Sequence, residues 1–437
     1  MQKKISIYYI TGLILLFLFS SCNLFEEVRQ EKEKIETFEK QIHDIATSNY
    51  SFEIKIDKFN ILCDQINASV KSDKLKAEPI TLCYSYINLY YLRLGKYEEI
   101  VQKSDELIKL YPEAISAYYS RGYAYQLLKN YNLAILDYTK ILKFNNSYVE
   151  AINNRAFSYL KLGKYKESIQ DYKRAMKLGL KNTDVYNNIG NAYLGIQSYE
   201  NAINSYNDAL KIDSSLVNIY YNRGYAYQLW GKDDLAIIDF NRVVEIDPTF
   251  VSVYNNRGVI FVGRGEIQKA LIDYNTALHI DETSAIGYNN RGVAYLKLRE
   301  LPKAIIDFDK AIKLDSTYTE ALFNRGNTLY ILKNYSSAIV YYDMALETDS
   351  SYIPAYINKG NTLADLKKYD LALNCYVHAL IFDPKSPDLF YNIALTYEKM
   401  GKKKYALYNF EKAILFDPED RLGVKSMAQS RIKALKE

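Results

Sequence analysis

Histidine and cysteine are nearly absent from this 437-residue chain, which has three His and four Cys. No two His are close in sequence, which argues against a His-rich metal site. Four Cys in a chain of this length exclude a disulfide scaffold. Eight Pro and 18 Gly are too few for a collagen-like or low-complexity chain. A surplus of one charge is missing too: 56 Lys and Arg against 52 Asp and Glu leave +4, without basic blocks, so nucleic acid is not expected as the main partner. No Gly-rich loop ends in Gly-Lys-Ser/Thr, and His-Glu-x-x-His and Cys-x-x-Cys are absent. No catalytic residues, metal or cofactor are therefore expected. What the chain does have in excess is tyrosine, 44 residues of it.

Residues 1–21 combine a basic start (Lys3, Lys4) with an apolar run from Ile10 to Phe19. That run is too short to span a bilayer comfortably and fits a secretory signal. It ends Phe19-Ser20-Ser21-Cys22, which resembles the bacterial lipobox, with Phe where Leu is usual. The resemblance implies cleavage before Cys22 and lipidation of Cys22, which anchors stably because several acyl chains act together. Asn23 follows instead of Asp, which leans towards the outer membrane of the cell envelope; the periplasmic or surface side stays open. For Cys63, Cys83 and Cys375, buried thiols are favoured over a Cys63–Cys83 bridge.

One 34-residue unit explains most of the rest. Asn-Arg-Gly recurs at 222–224, 256–258, 290–292 and 324–326. Units phased from this run over 81–114, 115–148, 149–182, 183–216, 217–250, 251–284, 285–318, 319–352, 353–386 and 387–420, without insertion. Each reads as two helices with a turn near its fifteenth residue. The eighth place is small (Gly122, Ala156, Gly190, Gly224, Gly258, Gly292, Gly326, Gly360, Ala394), and so is the twentieth (Ala134, Ala202, Ala236, Ala270 and others). The twenty-fourth is aromatic in nine units. Small residues let antiparallel helices approach, and large rings fill the space between them. The fourth, eleventh, seventeenth and twenty-fourth places absorb 26 of the 44 Tyr.

This pattern resembles the tetratricopeptide repeat (TPR). The resemblance implies an all-α fold, a right-handed superhelix of about ten helix-turn-helix units with a concave groove. The unit at 81–114 is the least faithful, with Asn88 and Ser104 in the small and aromatic places. Residues 421–437 are expected to cap the array by a stripe of Val424, Met427, Ala428, Ile432 and Leu435. Residues 22–80 are expected to form a lipid-anchored helical segment. Val28, Ile35, Phe38, Ile42 and Ile45 make one stripe there, expected to dock on the first repeat, with dimerisation as the alternative. A helix over 55–70 should end before the polar stretch to Pro79; a degenerate repeat over 47–80 stays open.

Arg holds the seventh place in six units (Arg121, Arg155, Arg223, Arg257, Arg291, Arg325), and Asp the twenty-third in five (Asp137, Asp171, Asp239, Asp273, Asp307). All five Asp fall in units with the Arg, which predicts a bidentate bridge between the two helices of one unit. Anion binding by these Arg in the groove is the competing reading. The groove-facing places of the family carry Asn153, Asn154, Asn187, Asn188, Asn222, Asn255, Asn256, Asn289, Asn290, Asn324 and Asn358 here. An amide offers donor and acceptor, so this row could hold an extended peptide backbone, or tie helix to helix. Tyr119 with Tyr123, and Tyr221 with Tyr225, are the candidate aromatic anchors. The Lys and Arg of a carboxylate clamp are lacking. These features favour a non-enzymatic adaptor binding a protein or peptide in the groove. A solute-binding lipoprotein holding a glycan or peptide is the alternative. Oligomeric state is not legible.

Overall fold

Regularity at the fifteenth place of each unit sets the fold. The computed structural model describes residues 26–437; the signal segment expected over 1–21 and the expected lipidation site Cys22 lie outside the described residues. All regular elements among them are α-helices. In all ten units the fifteenth residue has left-handed backbone, from Gly95 at φ 71° and Gly265 at 75° to Lys333 at 61°. Glycine adopts this conformation freely, yet Lys129, Gln197, Arg299, Lys333 and Lys367 adopt it as well. It reverses the chain between a first helix such as Val251–Gly263 and a second such as Ile267–Ile280.

The two helices then meet along the small-residue seam. A Cβ built on Gly258 would lie 2.5 Å from Tyr274 Cε1, and one on Gly292 2.6 Å from Phe308 Cε1. Tyr274, Phe308, Ala270, Ala304 and Ala311 are fully buried or nearly so. Units close with a second recurring turn, in which an Asp accepts from the backbone N–H and hydroxyl of the Ser or Thr two residues on. Asp281 takes both from Thr283 at 2.9 and 2.7 Å, and Asp315 takes both from Thr317 at 2.9 and 2.7 Å.

The chain divides into two units, Met1–Ala226 and Tyr227–Glu437. Within each, helix pairs stack in chain order as a solenoid, second helices packing on the next first helix, as Ile267–Ile280 does on Ala285–Lys297. In the first unit the described chain opens with α1 over 26–47, α2 Phe52–Ser69 and α3 Asp73–Arg93. Ile35, Phe38, Ile42 and Ile45 enter a core with Phe59, Ile66, Cys83 and Ile87, so the stripe docks within its own chain. Val28 does not follow it and stays 40% exposed. The polar stretch before Pro79 is not a loop: Ser72 caps α3, and Pro79 lies inside that helix. As the seventh residue of the helix it lies past the first turn, so it forgoes the bond that an N–H at 79 would make to the Leu75 carbonyl. Lys55 is buried, its Nζ donating to the Ala46 carbonyl at 2.9 Å. Cys63, Cys83 and Cys375 are free thiols and all buried.

The second unit ends in the extra helix Val424–Lys436. Val424 and Ala428 are buried against Phe390 and Phe410, with Ile432 and Leu435 alongside. Met427, placed on that stripe by its spacing, instead points outward and is 45% exposed. Arg431 holds the helix to Glu398 of the last repeat.

Candidate functional site

Two polar systems run through the first helices, one of arginines and one of amides. The structural one belongs to the arginines. Arg155 Nε and Nη2 reach Asp171 at 2.7 and 2.9 Å; Arg291 Nε and Nη2 reach Asp307, both at 2.8 Å. Arg121 and Arg257 grip Asp137 and Asp273 in the same way. The bridge within one repeat is therefore present. Burial of Asp137 pushes its carboxyl up, against the opposing pull of Arg121.

Sequence reasoning missed the third arm. Each guanidinium also turns Nη1 to the second helix of the preceding repeat, sixteen residues back. Arg121 meets Asp105, Arg155 meets Thr139 at 3.1 Å, Arg257 meets Asn241 at 2.6 Å and Arg291 meets Asn275 at 2.8 Å. Arg325, whose own repeat offers Tyr341, pairs with Asp309 at 2.7 Å. Lys359, opposite Cys375 in its own repeat, pairs with Asp343 instead. The signal was in the sequence. The twenty-fifth place is a hydrogen-bonding acceptor before every repeat with a cation at its seventh, and is Lys173 or Val377 before those with Ile189 or Ile393. These arginines hold the stack and are not groove ligands.

The amides form the second system, and three of them repeat one geometry. Asn222 donates to Asn187 Oδ1 at 2.9 Å, Asn324 to Asn289 Oδ1 at 3.0 Å and Asn154 to the Tyr119 phenol oxygen at 3.1 Å. In each, the sixth place of one repeat reaches the fifth of the repeat before. Asn358 bonds Asn327 at 2.7 Å, and Asn153 donates to Asn154 at 3.3 Å. Asn188 lies by the Tyr172 phenol. Asn153, Asn188, Asn256 and Asn290 are half-buried.

One amide oxygen of the row is buried without a partner. Asn255 is buried to 9% exposure, and its side-chain oxygen has no donor against it. Asn290, the amide that the geometry would send to it, does not reach it. The next residue in the row, buried Asn289, is satisfied on both sides, by Asn324 and by Tyr318 at 3.4 Å. A buried carbonyl without a donor is costly and rare.

The aromatic candidates part company. Tyr119 turns its ring onto Tyr138 and Tyr148 at 6.1 and 6.0 Å, and burial pushes its phenol pKa up. Tyr123 is left 38% exposed. Tyr221 and Tyr225 do stack, with centroids 6.5 Å apart and rings 5° from parallel, and Tyr225 is 37% exposed. The ninth place also serves the core: Asn191, Asn327 and Asn361 accept from the buried phenols of Tyr206, Tyr342 and Tyr376 at 2.7, 2.9 and 2.7 Å.

Family models agree with this architecture. One described as "TPR repeat" matches residues 158–197, 196–229, 260–298 and 360–401. Two described as "Tetratricopeptide repeat" match 217–250, 285–318 and 319–352, and 115–148 and 387–420. A comparison with curated proteins finds no match. Among solved structures, YrrB, titled a TPR protein with an unusual peptide-binding site, is 25% identical, over 44% of this chain and 97% of that one, at TM-score 0.35. PilF of Pseudomonas aeruginosa is 19% identical, over 51% of this chain and 97% of that one, at TM-score 0.43. The APC/C hetero-tetramer Cut9-Hcn1 is 15% identical, over 94% of both chains, at TM-score 0.49.

Proposed function

Because the chain belongs to the tetratricopeptide repeat family, whose members are scaffolds for protein–protein interaction, we propose that it is a non-enzymatic adaptor of the cell envelope. It holds an extended segment of a partner protein along the amide row of its first helices. The observation that carries this is the run of half-buried amides on the first helices, Asn256 and Asn290 among them, beside the buried Asn255 carbonyl that lacks a donor. Such amides supply both donors and acceptors for a peptide backbone. Within the first unit, stacked Tyr221 and Tyr225 offer an aromatic surface of their own for an apolar side chain.

The anchor is the second part of the proposal. Lys3 and Lys4, the apolar run and Phe19-Ser20-Ser21-Cys22 support a lipid on Cys22, which would tether the adaptor to the envelope membrane, with the outer membrane favoured by Asn23. No helix among the described residues is long and apolar enough to cross a membrane.

In-cell photo-crosslinking tests the binding face. A photoreactive residue at Asn255 or Tyr221 is expected to capture one dominant protein, and one at Ile272, 66% exposed on a second helix, is expected not to. Equal capture from all three sites would overturn the reading. Cys22→Ser should release the chain from membranes; retention would refute the anchor.

A further inference from the structure

The 81–114 unit breaks the repeat rule in two places that adjoin. In five of the ten units the closing turn pairs an Asp with a Ser or Thr, as Asp281 with Thr283. Here the same places hold Tyr111 and Glu113. The first helix of this unit, α3, has 21 residues, against 13 in first helices such as Val251–Gly263. Its additional N-terminal turns run past the 110–114 turn and the start of Ile115–Leu127. An open cavity of about 780 Å3 lies between these three segments, within the range of roughly 300–1,000 Å3 that ligand sites occupy.

Small side chains form most of the cavity wall, so the space is left unfilled. Leu82 and Leu110 flank it and are 41% and 51% exposed, although both are large and apolar. The charged residues lining it are two glutamates, Glu78 and Glu113, with no Lys, Arg or His among the lining. Both are exposed and make no ion pair among the described residues. The nearby Lys76 is already held by Asp73 at 2.7 Å. Ser116, which also lines the cavity, has a buried hydroxyl with no partner.

We propose that this cavity binds a partner segment that carries an apolar side chain with a Lys or Arg close by in sequence. The apolar group sits between Leu82 and Leu110 and removes their surface from water. The cation sits at the rim between Glu78 and Glu113, where carboxylates act as selectors and are screened by salt. The inference rests on the adaptor reading, and its site is separate from the amide row.

The test pans a displayed library of randomised nine-residue peptides on the full chain, and on a Glu78→Gln/Glu113→Gln variant. Both glutamates are exposed, so the variant is expected to keep the wild-type thermal midpoint. The expected result is enrichment of peptides with an aliphatic or aromatic residue near Lys or Arg. Their binding by fluorescence anisotropy should weaken at least about tenfold in the variant, and also weaken between 50 and 500 mM salt. Ser85→Phe, which fills the cavity without touching a charge, should abolish it, while Asn255→Ala should leave it unchanged. Enrichment of acidic or uncharged peptides, no enrichment, or equal binding to the glutamine variant would each overturn the proposal. So would concentration-dependent dimerisation that the double variant abolishes, which would make a second copy the occupant. Crosslinking from Asn255 reports on the adaptor reading separately, so the two failures are distinguishable.

Discussion

Arg257 is held by two second helices at once: its Nε and Nη2 lie 2.8 and 2.6 Å from Asp273 of its own repeat, and its Nη1 lies 2.6 Å from Asn241 of the repeat before. Asp273 is 5% exposed and Arg257 15%. A side chain with one charge and five donors thus joins three helices, where an ammonium could not fork. Removing Asp273 as Ala is expected to cost about 3–5 kcal/mol, because it strands a largely buried cation. A double-mutant cycle with Arg257→Met, read by urea unfolding, should give a coupling of about 1.5–3 kcal/mol. Additive single losses would show that the bridge is energetically idle.

Gly258→Ala sets two effects against each other. Helix propensity alone would stabilise by roughly 0.5–1 kcal/mol. The new methyl, however, would lie 2.5 Å from the Tyr274 ring, which is buried on all sides. Overpacking of about 1–3 kcal/mol should win. Tyr274→Leu, which removes the ring, should turn the same substitution from harmful to neutral. A stabilised Gly258→Ala single variant would contradict the seam.

Left-handed turns give the opposite sign for glycine. Arg299 and Lys333 both sit at φ 61°. Each pays roughly 1–2 kcal/mol for that conformation, part of which a glycine would give back in unfolded-state entropy. Lys333→Gly should therefore be neutral or mildly stabilising in thermal melts, whereas Lys333→Val should be clearly destabilising.

Acid should loosen the closing turns. Hydrogen bonds from Ser or Thr hydroxyls hold Asp213, Asp247, Asp281, Asp315 and Asp349 below the ordinary carboxylate value of 3.8. A lowered folded pKa means that the stabilisation is fully present above 3.8 and is lost as pH falls through the lowered value. Melting midpoints should drop as pH goes from about 5 to 2.5. The triple variant Thr249→Val, Thr283→Val, Thr317→Val should drop less over that span; an identical slope would remove these turns as the cause.

The C-terminal helix should govern the last repeat. Asp417 is 4% exposed and its carboxylate accepts from the backbone N–H of Leu422 and Val424 at 3.3 and 3.2 Å. Ending the chain at 420 uncovers Phe390 and Phe410. Hydrogen exchange should then quicken in 387–420 while 251–284 keeps its protection, as expected where each repeat touches only its neighbours.

Gly258, Ala270 and Tyr274 show what could be read directly. Their places recur every 34 residues because each helix pair must bury the same seam, so residue type alone reports the unit, the turn between its helices and the all-α class. The bridge from Arg257 to Asp273 was legible for the same reason, since both residues lie inside one unit. The contact to Asn241 left a trace in the twenty-fifth place, but the inward turn of Tyr119 and the outward turn of Met427 left none. Each of those depends on how one helix pair lies against the next, or on which of two faces a short helix buries. The N-terminal segment lies further from reach, because α1 to α3 follow no period and Pro79 reads as a stop until the helix around it is seen. Sequence by itself thus determined the repeat, its core and its internal ion pair, which are local and periodic. Only the tertiary structure decided the inward turn of Tyr119, the unpaired carbonyl of Asn255 and the cavity beside Tyr111, because these arise where separate repeats meet and where the period fails.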